Sequence, residues 1–322
     1  MVQQSDNSQI YSSKPIVMIG ECMMELSQYG DDKFHKGFAG DTFNSSVYMK
    51  RAFEQLNVNF MSCIGSDTVS TQLLDMLQLE GLDNRFIEVD EKRIMGAYMV
   101  QTDNQGERSF LYWRNDSAAK LLMQNLSKNA EQALQDCQLI FFSGITLAIL
   151  NDNDRAQLLH MLCRLRNKGV NIAFDPNYRP ALWENEKVAQ NAIGQGFQVA
   201  NILLPGMEDF ELFGLRQRQQ IVKFLNSCGF DELIIKDGSK SVFGYSSDAC
   251  CEVQVAPNPA VIDTTSAGDA FAGVYLGARI LGLDMKSAIE KAAAVAKEVT
   301  NHRGSIMPQE KFKNFWKGYK AA

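Results

Sequence analysis

The 322-residue chain lacks much of what common enzyme classes depend on. It has three histidines, His35, His160 and His302, far apart and in no ligand spacing, which argues against a zinc site and against a Ser-His-Asp hydrolase. Its seven cysteines form an odd set without a CxxC pair. Contexts such as "MSCIG" read as reduced, packed thiols of a cytoplasmic protein rather than a disulfide frame. No dense Lys/Arg run occurs and the net charge is −6, so neither nucleic acid nor a membrane surface is an expected partner. The longest apolar stretch, "LIFFSGITLAIL" (139–150), is too short to span a bilayer. GxxxxGK[ST] and GxGxxG are both absent, so any nucleotide is held in another way.

What remains is an ordinary soluble composition, 45% hydrophobic and 22% charged. Residues 1–13 are polar, lack the basic start and apolar core of a secretory signal, and are expected as a disordered tail. From residue 14 apolar runs alternate with amphipathic segments: "KPIVMIG" (14–20), "VNFMSCIG" (58–65), "LIFFSG" (139–144), "VNIAFDP" (170–176), "NILLP" (201–205) and "ELIIKDG" (232–238). Such strands, apolar on both faces, predict an α/β fold whose mostly parallel sheet is flanked by helices on both sides. One domain is expected over 14–310, followed by a tail over 311–322. Two turn-rich extended pieces break the rhythm. "RIMGAYMVQTDNQGERSFLYWRN" (93–115) predicts a hairpin with Gly106 in its turn, and 22–39 is able to pair with it in a small separate sheet.

In an open α/β sheet, ligands bind at the carboxyl ends of the strands. Glu21, Asp175, Asn177, Arg179, Lys236, Asp237 and Asp263 all follow apolar runs and reach that edge from separate segments.

Three places offer chemistry. In "VIDTTSAGDAFAGVYLGARI" (261–280), a helix starting near Ala267 leaves the amides of Ala267, Gly268 and Asp269 without partners, and the small residues let an anion approach. Asp269 at that end fits a general base that deprotonates a hydroxyl attacking a phosphate. A capped helix packing its small face on the sheet explains the same residues. In "GFAGDTFNSS" (37–46), Asp41 and Asn44 suit a polyol, although Asp41 is also a good N-cap. "YWR" (112–114) and "NYR" (177–179) place arginine beside tyrosine, a pairing that grips carboxylates or makes ordinary surface ion pairs.

Together these motifs identify a family. "DTTSAGDAFAGVY" resembles the C-terminal signature of the ribokinase/PfkB sugar kinases, usually DTxGAGD, and "FAGDTFNSSVYMKR" resembles their substrate motif, usually GGDxxN. "GECMMELS", "GERSFLYWRNDSAAKLL", "FSGITLAIL" and "FDPNYRPALW" are similar to the 2-keto-3-deoxygluconate kinase branch. The similarity runs from about residue 14 to about 310. It implies a ribokinase-like fold with a β lid formed by parts of 22–39 and 93–115. It also implies phosphorylation of the C6 hydroxyl of 2-keto-3-deoxygluconate by ATP and Mg2+, with Asp269 as base and the amides of Ala267, Gly268 and Asp269 as the anion hole. The implied substrate contacts are Gly40, Asp41, Asn44, Tyr98, Tyr112, Arg114, Arg179 and Asp263, besides Asp269. On the nucleotide side are Asn177, Lys236, Asp237, Gly238, Ser239, Lys240, Ser241, Ser266 and Asn301. A homodimer meeting through the lids is expected, and a monovalent-cation requirement stays open.

Three positions depart from the family pattern. Ala39 and Ser266 replace glycines, and "LLPGMEDFELFG" lacks the asparagine of the usual Asn-x-x-Glu motif, leaving Glu208 or Asp209 as the magnesium-side acid. The competing readings are a kinase of this fold for a neutral sugar such as fructose or ribose, and a sugar-acid sensor without catalysis.

Overall fold

The computed structural model describes residues 14–28, 33–102 and 108–321. The polar segment 1–13 and the hairpin tip containing Gly106 lie outside the described residues. The strands are β1 (Ile16–Ile19), β2 (Met23–Gln28), β3 (Phe34–Ala39), β4 (Val58–Gly65), β5 (Asp83–Asp90), β6 (Ala97–Thr102), β7 (Arg108–Trp113), β8 (Leu139–Ser143), β9 (Asn171–Asp175), β10 (Ile202–Leu203), β11 (Glu232–Asp237), β12 (Ser241–Ser246) and β13 (Cys250–Gln254).

Nine of them form the main sheet, in the order β13-β12-β11-β10-β9-β8-β1-β4-β5. Pairing is parallel from β5 through β11, and only β12 and β13 run antiparallel at one edge. All six strands expected from apolar runs are present; β5, β12 and β13, which carry mixed polar and apolar residues, were not among them. The pleat explains the two cores. Along β1, Ile16 and Met18 join one apolar cluster while Val17 and Ile19 join the other. Helices Asp41–Ala52, Ala267–Ile280 and Met285–Val299 cover the first face; helices Asp152–Asn167, Glu186–Val199 and Arg218–Asn226 cover the second.

The remaining four strands make a separate sheet, β3-β2-β6-β7, in which β2 and β6 are parallel and the two outer pairings antiparallel. This is the small sheet expected from 22–39 and 93–115. Its edge strand β7 leaves Phe110, Leu111, Tyr112 and Trp113 all exposed, so side chains on both of its faces meet solvent.

The chain after residue 310 corrects the expectation of a tail. Gln309–Ala321 is a helix whose Phe312 and Trp316 are buried in the first core, and Trp316 Nε1 donates to the carbonyl of Ala52 at 2.9 Å. The cause is the spacing of Phe312, Phe315, Trp316 and Tyr319, one face of a helix.

Two glycines set the placement of the site. A Cβ at Gly273 would lie 2.1 Å from the carbonyl oxygen of Ser45, and one at Gly40 would lie 2.0 Å from that of Glu21. Glycine at 273 therefore lets helices Asp41–Ala52 and Ala267–Ile280 touch backbone to backbone. Glycine at 40 lets the first of them start directly against the end of β1. The helix packing half of the sequence-level alternative for 267–278 thus holds alongside whatever the helix end does.

Candidate active site

Strand order reverses beside β1, which has β8 on one side and β4 on the other, and the polar residues gather at the carboxyl ends around this switch. Asp269 sits in the first turn of helix Ala267–Ile280 and is half-buried. Asn44, one turn into helix Asp41–Ala52, donates its Nδ2 to Asp269 Oδ2 at 2.8 Å, and Ser45 Oγ donates to the Asp269 carbonyl at 2.9 Å. Burial, and then the neighbouring charge of Asp41, push the Asp269 carboxyl up to about 8, against the lowering effects of Asn44 and Arg179. A carboxyl raised to that range is a strong proton acceptor once ionised, a form favoured as pH rises toward 8.

Asp41 and Asn177 are joined as well: Asn177 Nδ2 donates to Asp41 Oδ2 at 3.1 Å. Asn177 has φ of 35°, in the left-handed region, so the chain turns sharply as it leaves β9. Its side chain is thereby engaged on the sugar-motif side. Burial raises the Asp41 carboxyl above its ordinary value despite bonds from Ser143, Thr42 and Asn177.

Lys236, near the end of β11, reaches across the two-residue strand β10 to Asp175, Nζ to Oδ2 2.6 Å. Burial opposes its charge, but Asp175, Asp209 and Glu208 outweigh that and hold the ammonium above its ordinary value. A Cβ built at Gly268 would meet nothing within 4 Å except that ammonium, at 4.0 Å. The start of helix Ala267–Ile280 thus faces open space beside a cation. Ser266 makes no side-chain cap to the helix, and the amides of Gly268 and Asp269 lie in the turn where no helical carbonyl is in reach. One amide of the expected three is used differently: Ala267 N donates to the Thr264 carbonyl at 3.3 Å.

Other expected contacts carry protein bonds of their own. Asp263 accepts from Thr265 N (3.0 Å) and Oγ1 (2.5 Å) on Oδ1 and from Gly304 N (2.8 Å) on Oδ2, so it organises the loop before the helix. It follows an irregular stretch rather than a strand. Arg114 is buried and ion-paired with Glu21, whose Oε1 accepts from Ser117 Oγ at 2.6 Å. Arg179 is exposed and near enough to lower the Asp269 carboxyl. Tyr98 donates its hydroxyl to Glu25 and packs 5.7 Å from the exposed ring of Tyr112. Asn301 donates to Glu298 (3.2 Å) and accepts from Asn258 (2.9 Å). Gly238, Ser239 and Lys240 form a tight turn between β11 and β12, with Gly238 at φ 53° and Lys240 3.6 Å from Asp237. Ser241 turns its hydroxyl to Glu252 at 3.3 Å.

Of the two acids considered for magnesium, Asp209 is taken: its oxygens accept the amides of Tyr178 and Gly206, both at 2.8 Å. Burial and Asp175 push it up to about 6. Glu208 is exposed, with its carboxylate folded over Gly206. Among the described residues no cluster of three metal-ligating side chains exists.

Sequence reasoning missed Ser45, Glu25 and Ser305 as members of this assembly. Ser45 and Glu25 lie inside quoted motifs, but nothing local marks their roles; each acts through a partner far along the chain.

The chain is similar to known carbohydrate kinases. The model of the pfkB family of carbohydrate kinases matches residues 13–311. The 2-dehydro-3-deoxygluconokinase of Escherichia coli (strain K12) is 35% identical over 305 residues, 92% of this chain and 98% of that protein. That of Dickeya dadantii (strain 3937) is 35% identical over 306 residues, 93% of this chain and 98% of its own length. An E. coli protein solved with ATP and Mg2+ shares the fold at a TM-score of 0.80 and 22% identity, over 95% of this chain and all of that one. No helix among the described residues is long and apolar enough to cross a membrane. The chain belongs to the pfkB family of carbohydrate kinases.

Proposed function

We propose that this protein transfers the γ-phosphoryl group of ATP to the C6 hydroxyl of 2-keto-3-deoxygluconate, giving 2-keto-3-deoxy-6-phosphogluconate and ADP. The observation that carries the reading is Asp269, oriented by Asn44 at 2.8 Å beside an uncapped helix start. As the sugar oxygen attacks phosphorus, its proton passes to the Asp269 carboxylate and the bond from phosphorus to the ADP oxygen breaks. The amides of Gly268 and Asp269, with Lys236 alongside, receive the negative charge of the transferring group. Ala267 supports this turn through its bond to Thr264.

Gly40, Asp41 and Asn44 hold sugar hydroxyls, and Tyr98 and Tyr112 form the lid wall above them. Arg179, exposed and without an ion pair among the described residues, takes the carboxylate. Arg114 contributes directed N–H groups, but Glu21 already neutralises its charge. The β11–β12 turn from Lys236 to Ser241, with Asn177, Ser266 and Asn301, borders the nucleotide. Magnesium, when bound, would neutralise phosphate charge, with Glu208 facing its water shell. Exposed Leu111 and Trp113, which share one face of β7, support dimerisation through the lid, and seven unpaired thiols accord with a cytoplasmic setting.

The test is ADP release with ATP and Mg2+, comparing 2-keto-3-deoxygluconate, its C4 epimer, fructose and ribose. Preference for the keto-deoxy acids is expected. Preference for a neutral sugar overturns the substrate while keeping Asp269 as base, and the pairing of Arg114 with Glu21 is the observation that would then explain it.

A further inference from the structure

We infer that Ser266 is a positioning residue that ties the start of helix Ala267–Ile280 to the lid through Ser305. This inference rests on the phosphotransfer reading above. A serine immediately before a helix ordinarily accepts a hydrogen bond from the amides of the first turn. Ser266 does not. It is 1% exposed, and its hydroxyl donates to the carbonyl of Ser305 instead. Two consequences follow from this one bond. The side chain, standing where the family pattern has glycine, is turned away from the space in front of Gly268. The first-turn amides are left without a cap and free for an anion.

Ser305 is itself a junction. Its carbonyl also accepts from Tyr48 Oη at 3.1 Å, on the helix that carries Asn44. Its hydroxyl donates to Glu25 Oε2 at 3.0 Å on lid strand β2 and lies 3.3 Å from the Tyr98 hydroxyl on lid strand β6. Tyr98 donates to the same Glu25 oxygen. Glu25, Tyr98, Tyr48, Ser266 and Ser305 are all buried, so each depends on its protein partners for hydrogen bonding. Gly304 brings the loop close: a Cβ there would lie 3.5 Å from Glu25 Oε1, at a φ of 85° that glycine accommodates. A displacement of β2 or β6 is therefore transmitted to the backbone at Ser266, and with it to the amides of Gly268 and Asp269. Through this network, lid position sets the geometry that receives the phosphoryl group.

The experiment compares wild type with Ser266→Ala, Glu25→Gln, Tyr98→Phe and the double variant Ser266→Ala/Glu25→Gln. Ser266→Ala and Glu25→Gln should each lower kcat about tenfold with little change in KM for the nucleotide. The double variant should be no worse than the weaker single one, because both break one chain. Losses that multiply, or an unchanged kcat in Ser266→Ala, overturn the inference. Amide hydrogen exchange at Ala267 and Ala270, whose N–H groups are bonded to the Thr264 and Ser266 carbonyls at 3.3 and 2.9 Å, read without substrate, should speed up in Glu25→Gln and, should that variant not fold, in Tyr98→Phe. Unchanged exchange there also overturns it. Absence of sugar phosphorylation by wild type would instead sink the proposed function, leaving the exchange result to decide the linkage on its own.

Discussion

Asn44 Nδ2 lies 2.8 Å from Asp269 Oδ2, a bond that spans 225 positions of sequence. It joins the two motifs: one helix brings the amide of Asn44, the other the carboxylate of Asp269, and Gly273 allows them to meet. The carboxylate oxygen that accepts this bond is fixed in direction, which a general base requires before pKa matters.

Asp269→Asn should lower kcat by roughly 10²- to 10⁴-fold, the range of a positioned general base, while leaving KM for the sugar acid nearly unchanged. Steady-state ADP release measures both. Retained turnover would remove Asp269 from the mechanism.

The same substitution should raise thermal stability at pH 8. Burial and Asp41 put the folded carboxyl near 8, whereas the unfolded one titrates at about 3.9. Between those values the folded chain holds the extra proton, so stability is complete below the lower value and declines as pH rises through the upper one. The advantage of asparagine should therefore grow from pH 4 to pH 8 in melting curves. A constant difference across that range would contradict the assignment.

Asn44→Ala removes a bond that holds the Asp269 carboxyl down. The acid limb of the kcat/KM profile should move to higher pH, and Arg179→Ala should move it the same way. A shift toward lower pH in either variant would reverse the electrostatic account.

The two arginines should separate cleanly. Arg114→Ala strands Glu21, whose side chain is 1% exposed, and breaking such a buried pair costs about 3–5 kcal/mol. Its melting temperature should fall by roughly 10 °C. Arg179→Ala, at an exposed position, should leave stability within about 0.5 kcal/mol and raise KM for the keto-acid well above any change for fructose. Equal KM effects on both sugars would argue against a carboxylate contact at Arg179.

Gly273→Ala puts a carbon 2.1 Å from the Ser45 carbonyl. The helices must part, with a cost of about 1–3 kcal/mol and loss of the Asn44 contact, so kcat and melting temperature should fall together. An unchanged kcat would show that Asn44 does not orient the base.

The parts of this site that could be read in the sequence were those whose chemistry is local. "SAGD" reads as a helix start because small and acidic residues at such a point have few other uses, and the six apolar runs read as strands because a sheet covered on both faces permits little else. Partnerships across the chain left no such trace. Nothing near Arg114 announces that Glu21 neutralises it, and nothing near Ser266 points to Ser305. Nothing near Asp263 announces that Gly304, 41 positions on, donates its amide to it. The closing helix is legible only in part. Its lysines mask the spacing of Phe312, Phe315, Trp316 and Tyr319, whose apolar face lies against the core.

The three tryptophans are divided among three environments: Trp183 and Trp316 are buried at 9% and 5% exposure, while Trp113 on β7 is 56% exposed. In the single chain a soluble quencher such as acrylamide reaches Trp113 first and leaves the other two shielded, whereas a dimer formed through the small sheet would shield Trp113 as well. The edge strand of the small sheet thus carries its own fluorophore, and emission from that ring follows the lid in real time without a label.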